Sequence, residues 1–158
     1  MGDDGAMTTT LSQRDGLKVL RQTLAVSSES HREAIDITSR VRDALQGGAV
    51  HSGLVIANCL HTTCSVLVAE PRPALLEDLA LLMGDIVDEA ARYMHNDPRL
   101  SDCERGNATA HLRASLLGHG VALGVTDGKL LLDGSESILL AEFDGPRERR
   151  VHVQVVGM

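Results

Sequence analysis

Aromatic side chains are almost missing: the 158 residues hold one Tyr, one Phe and no Trp. A core must therefore come from Leu, Val, Ile and Ala, and there are no aromatic platforms for stacking unpaired bases. Positive charge is also short, with 15 Lys and Arg against 22 Asp and Glu and a formal net charge of −7. That balance repels nucleic-acid phosphates and anionic membrane surfaces, which leaves small-molecule substrates and protein partners. Cys59, Cys64 and Cys103 are an odd number without a CxxC pair, which fits neither a disulfide framework nor a zinc ribbon. No apolar run approaches the length of a membrane span. The acidic, polar start "MGDDGAMTTTLSQRDG" lacks the basic and apolar regions of a secretory signal. The expectation is a cytoplasmic protein in a reducing compartment, with no nucleic acid and no membrane.

What is present fits one domain. Residues 1–15 read as a disordered arm and 16–158 as a single folded unit, long enough for a real core. Alternation predicts a strand over 17–26, then a short strand and a helix over 34–48, with Thr38 or Ser39 as cap and Gly47 as stop. Runs rich in β-branched residues predict strands at 53–60 and 64–70, joined through His61-Thr62-Thr63. The spacing of Leu75, Leu79, Leu82, Ile86 and Tyr93 predicts a helix over 73–93, with Leu76, Met83, Val87 and Ala90 widening its stripe. A polar loop over 94–106 precedes a short helix, 108–117, closed by Gly118. Strands follow near 120–125, 129–132, 137–143 and 149–156, with turns at Asp127-Gly128 and Asp144-Gly145-Pro146. Strands joined by tight turns and mixed with three helices indicate an α+β fold of mainly antiparallel sheets.

The long helix runs into a dense polar stretch. His95, Asn96, Asp97, Asp102, Asn107 and His111 fall within seventeen residues. On a helix beginning near Asn107, the spacing puts Asn107, His111 and Ser115 on one face, beside an apolar stripe of Leu112 and Leu116 that would anchor it to a sheet. Two readings stand: a cleft wall, or an N-cap Asn and a surface His. His61, His95 and His111 would make a three-histidine metal site if the fold joined them, yet their spacing matches no local metal signature. Glu70 ends an apolar strand near the helix entry and reads as a solvated strand-end charge. Arg147, in a tight turn, has the fork geometry that grips phosphate. "GVTDGK" (124–129) lacks the spacing and the Ser or Thr of a phosphate loop, and a hairpin explains it better.

Four segments, "HTTCSVLVAE", "YMHND", "NATAHLRASLLG" and "EFDGPRERRVHVQVVG", occur in the order and spacing of the YjbQ-like family, and the chain resembles that family over roughly residues 33–157. The resemblance implies two sheets with flanking helices, a homotrimer, and a pocket near a subunit boundary. It implies an association with secondary thiamine-phosphate synthase activity, which joins a pyrimidine diphosphate to a thiazole phosphate and releases pyrophosphate. Carried over residue by residue, it implies catalytic roles for Glu70, Asn107 and His111. It implies substrate contacts for Thr62, Thr63, Ser115, Asp144 and Arg147. His61, His95 and His111 become ligands of a divalent metal, Zn or Mg. The chain departs from the family pattern where Gly-Thr-Trp-Gln is usual: Asp133, Gly134, Ser135 and Glu136 stand there, and Ala69 replaces the usual Asn before Glu70.

Losing an aromatic wall and two amides removes contacts to a flat heterocycle. The alternatives to a thiamine-phosphate synthase are therefore a synthase with an altered substrate, a metal-dependent hydrolase of a small molecule, and a non-catalytic trimeric protein that binds a metal or metabolite. Zinc suits histidines and magnesium suits a diphosphate, so the metal's identity stays open at this stage.

Overall fold

A computed structural model describes residues 9–14 and 16–158. Strands and helices follow in the order β1 (Thr9–Arg14), β2 (Leu17–Ser27), β3 (Glu33–Asp36), α1 (Thr38–Gly48), β4 (Ser52–Cys59), β5 (Cys64–Ala69), α2 (Pro73–Ile86), α3 (Ala108–Leu117), β6 (Gly120–Thr126), β7 (Lys129–Leu130), β8 (Ser137–Glu142) and β9 (Glu148–Gly157). One sheet has the order β1-β2-β9-β4-β6-β7 and the other β3-β8-β5. Every pairing is antiparallel, so the architecture is the expected α+β.

Two strands organise the core. Along β9 burial alternates, and Val151, Val153 and Val155 are fully covered, each worth about 1.5–3 kcal/mol relative to exposure. β8 is buried along its whole length. Ile138 and Leu140 join the main core with β2, β4, β9 and α1. Ala141 and Phe143 pack with Ala110 and Ala114 of α3. The small sheet thus lies between the large sheet and α3, and a strand buried on both faces reads as a continuous apolar run.

Several local features differ from expectation. Part of the arm is ordered: Thr9–Arg14 pairs with Leu17–Gln22 as an exposed edge strand, held by backbone bonds that polar composition does not reveal. Residues 1–8 and 15 of that arm lie outside the described residues. α1 is not capped by a Thr38 or Ser39 side chain. Asp36 Oδ1 accepts the Thr38 N–H at 2.8 Å, and the helix runs to Gly48, with Ala49 in the left-handed region at φ 46°. α2 stops at Ile86, not 93. There the Asp88 carboxylate accepts the Ala90 N–H at 2.8 Å and its carbonyl accepts the Tyr93 hydroxyl at 2.7 Å, closing a turn instead. The apolar stripe of α2 is also rotated. Met83 and Val87 are buried, while Leu75, Leu82 and Ile86 are 44%, 51% and 55% exposed. The Asp127-Gly128 hairpin is as expected, with positive φ at both residues. No helix among the described residues is long and apolar enough to cross a membrane.

Candidate functional site

Among the chain's crossings between its sheets are β2–β3, β4–β5 and β8–β9. Three crossovers meet at one edge, and Gly145 shows how closely: a Cβ there would lie 2.2 Å from the Ser30 carbonyl oxygen and 2.7 Å from Ser28 Oγ. The Gly145 N–H donates to the His31 carbonyl at 3.0 Å. The β4–β5 crossover presents His61, Thr62 and Thr63, and the β8–β9 turn presents Asp144.

A buried ion pair sets this frame. Glu142 ends β8 and Arg149 lies near the start of β9, with 0% and 4% of their side chains exposed. Arg149 Nε donates to Glu142 Oε2 at 2.6 Å, and Nη2 donates to Oε1 at 2.5 Å and to Thr63 Oγ1 at 2.8 Å. Glu142 also accepts the Phe143 and Asp144 N–H groups and the Ser28 hydroxyl. Burial opposes its charge, yet the bonds from Arg149 and the Asp144 backbone carry its pKa below the ordinary glutamate value.

A cavity of about 420 Å³ opens beside this pair, bordered by His61, Thr62, Thr63, Asn107, His111 and Asp144, with Cys103, Arg105 and Arg149 on the same wall. Asn107 stands at the helix N-cap position but does not cap α3 with its side chain. Asn96 does so, its Oδ1 accepting the Ala108 N–H at 3.0 Å. That frees Asn107 Nδ2 to donate to Asp144 Oδ2 at 3.1 Å, while its Oδ1 accepts the Cys103 thiol at 3.4 Å. Asp144 is further held by Arg147 at 3.2 Å and Arg105 at 3.7 Å. Arg147 also donates through Nε to the Asp144 carbonyl at 2.8 Å, so it braces Asp144 rather than bordering the cavity.

The histidines have distinct states. His61 Nε2 accepts the Arg150 N–H at 2.9 Å, which puts its proton on Nδ1. Burial, followed by the nearby Arg149 and Arg150 charges, lowers its pKa. His111 and His95 meet edge to face, centroids 4.9 Å apart. Burial first and His95 second lower the His111 pKa, while Asp144 and a hydrogen bond with the Thr62 backbone oppose the shift. His95 Nε2 is buried without a partner among the described residues. A neutral His61 with one nitrogen protonated and the other accepting has no lone pair for a metal. Among the described residues, no group of three or more His, Cys, Asp or Glu side chains is placed to hold an ion. The three-histidine metal set therefore does not fit this arrangement in one chain.

Two other expected residues lie elsewhere. Glu70 follows the far end of β5, about 20 Å from Thr63 at strand rise, and pairs with Arg72. Glu136 lies near that same end, since Ser137 pairs with Ala69. Asp133 binds the Ser135 N–H and hydroxyl, and Glu136 binds the Asp133 N–H. Ser115 is exposed and donates to the His111 carbonyl of its own helix at 2.8 Å. Leu112 and Leu116, expected to anchor α3, are 40% and 56% exposed; Ala110 and Ala114 anchor it, and Ala114 is fully covered. Glu142, Arg149, Cys103 and Arg105 were not among the expected site residues. The legible signal is a Glu that ends the apolar run 138–141.

The model of the family described as UPF0047 protein YjbQ-like matches residues 22–158. A UPF0047 protein of Archaeoglobus fulgidus is 38% identical over 133 residues, covering 84% of this chain and 98% of the relative. One of Methanothermobacter thermautotrophicus is 34% identical over 141 residues, covering 89% and 94%. A YbjQ-like protein of unknown function from Sulfolobus solfataricus P2 superposes with a TM-score of 0.82 at 29% identity, covering 90% of this chain and 99% of that one. A hypothetical protein of Aeropyrum pernix K1 gives 0.78 at 30%, covering 87% and 98%. This chain belongs to the YjbQ-like UPF0047 family.

Proposed function

We propose that the crossover cavity binds a phosphorylated small molecule and that the chain is a transferase of the thiamine-phosphate synthase type, acting on those substrates or close analogues. One observation carries the reading: Arg105 and Arg147 share the single carboxylate of Asp144 at the cavity's rim. The Arg149 charge is balanced by Glu142, so the cluster of Arg105, Asp144 and Arg147 behind the rim keeps about one unmatched positive charge. Arg105 makes the longest of these contacts and its side chain is 59% exposed, so it is the group freest to turn toward a phosphate. In a synthase step the thiazole ring nitrogen forms a bond to the pyrimidine's carbon that carries the diphosphate, the bond from that carbon to the diphosphate oxygen breaks, and pyrophosphate leaves with the electron pair. Fixed cations and N–H donors beside that oxygen stabilise the leaving charge. His61 Nδ1–H and Asn107 supply neutral donors, and His111 holds or moves a proton.

The same reading has the chain assemble as a homotrimer in the cytoplasm. The exposed apolar faces of α2 (Leu75, Leu82, Ile86) and α3 (Leu112, Leu116) support self-association. A subunit boundary would also bring the Glu70 end of one protomer to the His111 end of another, which a single chain keeps about 20 Å apart. A second reading, a non-catalytic trimeric metabolite-binding protein, is favoured by the self-closed turn at 133–136. Incubation with a pyrimidine diphosphate and a thiazole phosphate, followed by mass spectrometry, separates them. Thiamine phosphate above the uncatalysed background supports the transferase, and tight binding of either half without product supports the binding protein.

A further inference from the structure

A second cavity, of about 430 Å³, borders the crossover cavity, and His111 of α3 lines both. Asn107 and His111, four apart, line the crossover cavity. Ala108 and Leu112, also four apart, line the second one. The two pairs are one residue out of step, so they form neighbouring stripes about 100° apart around the helix. His111 stands where the two cavities meet.

The two sides differ in chemistry. The crossover side holds Thr62, Thr63, Arg105 and Asp144. Among the described residues that line the second cavity there is no Asp, Glu, Lys or Arg. Met94 and Leu112 are exposed there and belong to neither core cluster, so the core does not account for them. The polar atoms of the neighbouring rings are engaged or covered. The Tyr93 hydroxyl donates to the Asp88 carbonyl at 2.7 Å, His111 bonds the Thr62 backbone, and His95 Nε2 is buried. The surface this cavity presents is therefore mainly carbon and sulfur.

We propose that Met94 and Leu112 are specificity-determining residues, which bind the uncharged, carbon-rich part of the substrate whose phosphorylated end lies in the crossover cavity. The inference rests on the reading of that cavity as a phosphate site and adds where the rest of the molecule goes. A substrate laid across both cavities puts the link between its phosphate and its carbon body beside His111. That link is the bond broken in the proposed transfer, and a residue that holds or moves a proton acts where bonds change. A charged group on the carbon body would be desolvated against Met94 and Leu112 without a partner, and is selected against.

Calorimetric titration of the full chain at fixed ionic strength, with methyl diphosphate, benzyl diphosphate and carboxybenzyl diphosphate as probes, tests it. The first two carry the same charge, and only the second has a ring. Benzyl diphosphate is expected to bind about tenfold or more tightly than methyl diphosphate, and the carboxylated probe to lose most of that gain. Met94→Gln and Leu112→Gln, both at exposed positions, should each lower the benzyl preference by about threefold or more. Light scattering on the same samples follows the assembly. Equal affinities for methyl and benzyl diphosphate would overturn the proposal and leave the phosphate reading standing, whereas no binding of either would overturn both. A benzyl preference undiminished in the two variants would also overturn it, and a changed molecular mass alongside that result would assign the two side chains to a contact between copies.

Discussion

Arg149 and Glu142 form a two-pronged, buried ion pair across the turn that carries the chain from the small sheet to the large one. The pair ties the two sheets together at the edge where the site forms, and Thr63 shares its donors. Its worth lies in placement. A buried pair rarely adds net stability over an apolar substitute, but breaking one half leaves a charge stranded.

Glu142→Gln should therefore cost about 3–5 kcal/mol in urea unfolding. Glu142 has a pKa depressed below its unfolded value, so its stabilisation is fully present above the ordinary glutamate range and is lost as pH falls through the folded value. The wild type should lose stability below about pH 4.3, and the variant should show a shallower loss there. Equal acid slopes for the two proteins would remove Glu142 from this role.

The histidines act in a separate window. His61 and His111 both have lowered pKa values, so each contributes stability that is complete above the unfolded imidazole pKa of about 6.5 and declines as pH falls below it. Protonating His61 at Nε2 also breaks its bond from the Arg150 N–H. Urea midpoints at pH 7.5 and 5.5 should drop with acid in the wild type and drop less in His61→Gln. NMR titration should find both rings titrating below free histidine.

Gly145→Ala should destabilise by about 1–3 kcal/mol through overpacking, since its Cβ would collide with the Ser30 carbonyl and Ser28 Oγ. The Ser30 contact is backbone, so the crossover itself must shift, and thermal unfolding should report the loss directly. An unchanged melting temperature would mean the crossovers can move apart.

Asn96→Ala removes the side chain that caps α3. About 1 kcal/mol of stability should go, and His111 and Asn107 should lose order, visible as line broadening in NMR spectra. Asn107→Ala should leave the helix itself nearly as stable, because its side chain serves Asp144 instead.

Leu82→Lys with Ile86→Lys should convert a trimer to monomers in light scattering if the outer face of α2 is a subunit contact. Those side chains are about half exposed in one chain, so the monomer's fold should survive. An unchanged mass would send the interface elsewhere.

Much of the fold was legible in the sequence because period and turn chemistry carry it. The Asp127-Gly128 hairpin and the strands around it needed only local signals. The apolar residues of α2 were legible too, but not which of them face inward. With apolar side chains on two faces, periodicity fixed the helix and left its rotation open, and the structure buries Met83 and Val87 in place of Leu82 and Ile86. At the site, the sequence supplied the pieces His61, Thr63, Asn107, His111 and Asp144. It could not show that a backbone N–H occupies His61 Nε2, nor that β5 carries Glu70 away from them. Those are relations between segments about ninety residues apart, or along a whole strand, and no local pattern encodes them.

If the crossover cavity receives a phosphorylated group, pyrophosphate, the leaving group of the proposed reaction, should bind there, and titrating it into the wild type and Arg105→Ala at fixed ionic strength decides the matter. Wild-type binding is expected in the micromolar to low millimolar range, with a loss of about tenfold or more in the variant. Equal affinities, or no binding to the wild type, would contradict it.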